Sequence, residues 1–162
     1  MKDILSKLSS YNLFNYLLPG IIFVVLSGEL THYSFIQQDI LIGVFLYYFI
    51  GLVISRFGSL VIEPLLKHLS FLQFANYKEF VVASKKDDKI ELLSEVNNTY
   101  RTLCSLFILL LLLKIYEAIE SVFPLLQKCS AIILIILLII MFLFSYRKQT
   151  SYITKRIKIG LE

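Results

Sequence analysis

The sequence predicts an all-α membrane protein with four transmembrane helices, N-in/C-in, whose second and third helices extend into a cytoplasmic helical hairpin. Three observations predict it. Four apolar runs have the length of a membrane span, one of them (Ala131 to Phe144) has no polar side chain, and fourteen of the 16 Lys and Arg residues fall on one side of those runs. Hydrophobic residues make up 57% of the 162-residue chain, above the roughly 45–50% of soluble domains. The length suits one structural unit, 1–162.

The runs lie at about 12–33, 38–58, 99–122 and 129–146. A hydrocarbon core of ~30 Å takes about 20 helical residues at ~1.5 Å each, and each run is near that length. The first is interrupted by Pro19-Gly20 and by Ser27-Gly28-Glu29. Neighbouring helices satisfy the backbone that a membrane proline frees, so a span is still expected there. It is read as retained rather than as a signal peptide, because no small-x-small cleavage pattern follows Ile21–Leu26.

Orientation follows from the basic residues. The N-terminal stretch carries Lys2 and Lys7, the segment from Arg56 to Arg101 carries seven Lys or Arg, and the tail after Tyr146 carries five. The remaining connections hold only Lys114 and Lys128, beside Glu29, Asp39, Glu117 and Glu120. Both termini and the segment at about 59–98 are therefore expected in the cytoplasm, and the chain in a bacterial inner (plasma) membrane. His32 and His68 then belong to opposite faces. Cys104 and Cys129 also sit toward opposite faces, ~30 Å apart, too far for a disulfide.

Within 59–98, Leu60 to Leu69 should prolong the second helix, with a bend at Pro64. A polar interval around Gln73 to Tyr77 follows. Ser84-Lys85-Lys86-Asp87 resembles a capped helix start. From there Ile90, Leu93, Val96, Tyr100 and Leu103 recur every three or four residues, predicting one helix that runs unbroken into the third span.

On the first span, Asn12, Asn15, Pro19 and Ser27 share a broad arc, with Gly20 and Thr31 at its edge and larger apolar residues, including Val24, opposite. Such a face packs against other helices; the alternative is a water-filled path. Gly51, Ser55 and Ser59 lie four apart on the second span, with Gly58 beside them, a pattern that lets backbones approach closely. Arg56 and Glu63, seven apart, share a face but lie about 10.5 Å apart along a straight helix, too far to pair. Arg56, Glu63 and Lys114 are read as interfacial charges, Lys114 reaching for the outer surface near Glu117. The tail 147–162 sets Arg147, Lys148, Lys155, Arg156 and Lys158 among Tyr152, Ile153, Ile157 and Ile159. It reads as a basic amphipathic helix on the inner surface, touching anionic lipid headgroups. Nucleic acid is disfavoured, since the tail holds no recognised binding module.

No hydrolase, metalloprotease, phosphate-loop or dinucleotide motif occurs, so neither an enzyme nor a cofactor is expected. The expected function is a binding or scaffold module, a homo-oligomer that presents its cytoplasmic segment to a protein partner; the alternative is a pore or permeability effector lined by the first span. Alkaline phosphatase fused to the C-terminus should be inactive and a fluorescent protein there bright. An active phosphatase would reverse the orientation.

Overall fold

Hydrocarbon offers no partner to backbone amides, so a chain this apolar must satisfy them within each segment. The structure, a computed structural model, describes residues 13–161 and does so with helices. Helix α1 covers Leu13–Leu30, α2 Ile40–His68, α3 Tyr77–Ser84, α4 Lys89–Val122 and α5 Pro124–Leu161. Four of them (α1, α2, α4 and α5) are long and apolar enough to cross a membrane. The chain is a helical membrane protein with four candidate spans.

Both prolines inside α1 and α2 follow a π turn. Leu13–Leu17 precedes Pro19, and Gly58–Ile62 precedes Pro64. Proline has no N–H and its ring crowds the carbonyl four residues back, which an inserted residue accommodates. In α2 the Glu63 N–H reaches the Gly58 carbonyl. At Pro64 the helix widens locally and continues to His68. The widening also resets the faces. In a regular α-helix a four-residue stripe drifts by about 40° per step, and the wide turn offsets that drift. Gly51, Ser55, Ser59 and Glu63 are all buried as a result. Arg56 stays half-buried with no ion pair among the described residues, so the predicted common face of Arg56 and Glu63 does not form.

The core is built by three helices. Ile54, Leu106 and Leu110 are buried together, with Ile22, Phe23, Leu26, Ile50 and Leu109 against them. Helices α1 and α2 meet backbone to backbone. A Cβ on Gly20 would collide with the Tyr47 carbonyl, and one on Gly51 with the Tyr16 carbonyl. Helices α2 and α4 meet where Gly58 faces Ser105 and Arg101. Helix α5 stays outside this core, with none of its most apolar stretch buried. It touches α2 through a stacked Phe49–Phe142 pair, with centroids 6.1 Å apart.

Three boundaries differ from the sequence reading. Ser84 ends a helix rather than starting one, since Asn76 caps α3 and Glu79 closes the capping box, while Asp87 Oδ1 accepts the Lys89 N–H where α4 begins. The third and fourth spans are joined by Phe123 alone, because Pro124 opens α5. The tail is no separate surface helix: α5 continues through it to Leu161. The unbroken run from Lys89 into the third span is as expected.

Gly20→Ala or Gly51→Ala should lower the unfolding free energy in detergent by about 2 kcal/mol or more, because backbone rather than a flexible side chain must move. Gly28, with nothing within 4 Å of an added Cβ, is the control: Gly28→Ala should leave stability unchanged or raise it by up to ~1 kcal/mol.

Candidate functional site

Glu63, only 8% exposed, is the centre of a charge cluster at one end of the core. Its carboxylate accepts from Arg101 Nη1 at 2.7 Å and from Lys67 Nζ at 3.0 Å, and Lys148 Nζ stands 3.7 Å away. Lys148 also donates to the Ser59 carbonyl and to Ser59 Oγ, both at 2.7 Å. One carboxylate therefore gathers side chains from α2, α4 and α5. A buried carboxylate is sustained by such pairing, and here the cations outnumber it.

Just inside the cluster, α1 joins through neutral groups. Thr102 Oγ1 lies 2.8 Å from the Asn98 carbonyl, 3.2 Å from Asn15 Oδ1 and 3.3 Å from Ser55 Oγ. A hydroxyl has one proton; the shortest contact assigns it to Asn98, leaving Thr102 Oγ1 to accept from Ser55. Thr102, Asn15 and Ser55 are all at most 3% exposed. Ser105 donates to the Arg101 carbonyl at 2.7 Å and fills the space that Gly58 leaves.

The opposite end ties the connection after α1 to α4. The His32 backbone N–H donates to Glu117 Oε1 at 2.7 Å, and its Nδ1 lies 2.8 Å from the same oxygen. Lys114 holds the other carboxylate oxygen at 2.5 Å. The Tyr33 hydroxyl donates to Glu120. Loss of hydration, then the Glu120 carboxylate, push the Tyr33 phenol above its usual range, so it remains a donor.

The structure brings together Asn15 with Ser55, and Ser59 with Glu63 and Lys148. Ser27, fully buried, donates to the Val24 carbonyl within its own helix. Val24, expected on the outer arc, is 2% exposed. Lys148, expected at lipid headgroups, is instead half-buried on Ser59 and Glu63. Lys114 pairs at the far end, and Asn12 lies outside the described residues. Arg147 and Lys155 line an open groove beside Lys148, whereas Arg156 and Lys158 do not. Sequence reasoning missed Lys67, Arg101 and Thr102 as parts of the site. Lys67 stands four residues after Glu63, and Asn98, Arg101, Thr102 and Ser105 recur at helical spacing on α4, a polar face that the charge count obscured.

The cluster joins helices and sets a polar boundary. Among the described residues no group of three or more His, Cys, Asp or Glu could hold a metal ion. No protein family, curated protein or solved structure matches the chain at a significant level.

Glu63→Gln should cost about 2–3 kcal/mol of stability, below the ~3–5 kcal/mol of a fully buried pair because Arg101 and Lys148 keep some solvent. Adding Arg101→Met should recover part of the loss. Strictly additive losses in a double-mutant cycle would show that the two do not act as a pair.

Proposed function

We propose that the chain crosses the bilayer four times with both termini in the cytoplasm, and that it serves as a membrane-embedded binding or scaffold module presenting a helical cytoplasmic segment to a protein partner. The two polar ends support the span assignment. Arg101 and Glu117 lie 16 residues apart on α4, about 24 Å, and Lys148 and Lys114 take part in the polar contacts at the respective ends. Fourteen of the 16 Lys and Arg fall in the sequence segments assigned to the cytoplasm, which supports the orientation. On this placement the start of α4, α3 and the end of α5 stand outside the membrane on one side.

The observation that carries the binding role is an uncovered apolar stripe on a polar segment. Leu92, Leu93, Val96 and Tyr100 are 60%, 66%, 43% and 65% exposed. They share the start of α4 with Lys89, Glu91 and Glu95, which hydrocarbon would not accept. Residues at this spacing form the face by which a helix enters an apolar groove of another protein. The pore alternative receives no comparable support: Asn15 and Ser27, its expected lining, are 1% and 0% exposed within a single chain. The small and polar faces of α1 and α2 are likewise used in contacts within the chain, which removes the main support for a homo-oligomer.

A photo-crosslinking residue at Leu93, in native membranes, should form one adduct of defined mass, and Leu92→Lys with Val96→Lys should abolish it. The same residue at Ile135 should reach lipid. An adduct of twice the chain mass would replace the partner with a second copy, and labelling of lipid alone from Leu93 would end the reading.

A further inference from the structure

An open groove of about 350 Å3 lies between α2 and the charged part of α5. Leu60 lines it from α2, and Phe144, Arg147, Lys148, Ser151, Tyr152 and Lys155 line it from α5. We propose that this groove binds one anionic phospholipid, its phosphate between Arg147 and Lys155 and the start of its acyl chains over Phe144 and Leu60. This inference is independent of the protein partner proposed above.

Charge complementarity is the first argument. No acidic residue lines the groove. Lys148 is engaged by Ser59 and faces Glu63, while Arg147 and Lys155 have no ion pair among the described residues. Arg147, Ser151 and Lys155 are four apart, so they follow one line of the helix over about 12 Å, with a hydroxyl donor between two long cationic side chains. A phosphate midway along that line is within reach of both cations.

The order of apolar and basic residues along α5 is the second argument. Toward the N-terminus of α5 the groove passes Phe144 and opens onto a stretch where Ile136, Leu137, Ile140 and Leu143 are 45–63% exposed. A ligand matching the whole site is anionic at one end and hydrocarbon at the other, with its chains parallel to α5. The groove's volume is at the lower end for small-molecule sites and suits a headgroup with its first carbons. An acidic peptide or a nucleic acid would leave Leu60 and Phe144 uncovered. The site also divides the basic tail: Arg147 and Lys155 belong to it, and Arg156 and Lys158 do not.

The full chain in mild detergent, titrated with phosphatidylglycerol or phosphatidylcholine and read by native mass spectrometry, tests the proposal. One phosphatidylglycerol should be retained per chain at concentrations where phosphatidylcholine is not. Arg147→Gln with Lys155→Gln should weaken retention roughly thirtyfold, whereas Arg156→Gln with Lys158→Gln, an equal change of charge outside the groove, should alter it less than about twofold. If the first double variant loses its helical circular dichroism, Lys155→Gln alone should still weaken retention about fivefold. Equal retention of the two lipids, or equal weakening by both double variants, would overturn the site in favour of diffuse attraction. Displacement of the lipid by glycerol phosphate, which has the headgroup charge but no chains, would overturn it in favour of a soluble-anion site.

Discussion

The Glu63 carboxylate is the point on which three helices converge. It sits on α2, pairs with Arg101 of α4 and faces Lys148 of α5, whose ammonium also grips the Ser59 backbone. Helices surrounded by lipid have no hydrophobic drive to associate, because acyl chains are as apolar as leucine. Association then rests on close packing and on polar contacts that lipid cannot replace. Glu63 supplies the second kind at one end of the molecule, and Glu117 with Glu120 at the other. The position of Glu63 depends in turn on the π turn before Pro64. A regular helix would carry the carboxylate off the stripe begun by Gly51 and away from Arg101.

Close packing supplies the other half of the hold, and it bears on function. Gly20 and Gly51 let α1 and α2 touch along their backbones, which turns Asn15, Pro19 and Ser27 toward neighbouring helices rather than toward water. A polar face on a span has two uses, lining a path or holding a bundle. Here the Asn15 and Ser55 side chains both face the buried Thr102 hydroxyl, at 3.2 and 3.3 Å, rather than an open path. Among the described residues, the exposed surface includes hydrocarbon along α5, cations at its end, and an apolar stripe at the start of α4.

Features that depend on composition and regular periodicity were legible in the sequence: the helical class, the four spans, the single long helix through Lys89–Val122 and the small-residue stripe of α2. What was not legible depends on local departures from regularity or on contacts between distant segments. Treating α2 as a uniform helix put Glu63 on the face of Arg56, since no periodicity anticipates a widened turn. Asn76-x-x-Glu79 is a capping pattern in plain view, yet Ser84-Lys85-Lys86-Asp87 matched the same expectation eight residues later, and neither tetrapeptide by itself tells which one caps a helix. Lys148 illustrates the second limit. Nothing within the tail distinguishes it from Arg147 or Lys155, and only the approach of Ser59 and Glu63 from α2 sets it apart.

The attachment of α5 shows how these terms combine. Its apolar middle holds no fully buried residue, though Phe142 stacks on Phe49, so displacing it from α2 would sacrifice little burial. Its fixed points lie near its ends. At one, Tyr116 donates to the Leu126 carbonyl, next to the one-residue connection at Phe123. At the other, Lys148 donates to Ser59. Leu126 and Lys148 are 22 residues apart, about 33 Å along the helix and close to the ~30 Å thickness of a hydrocarbon core. A helix held by polar contacts near both boundaries, with one aromatic stack between them, keeps its register without a buried seam. The groove beside Leu60 of α2 is where the proposed lipid would seat its charge, at the Lys148 end.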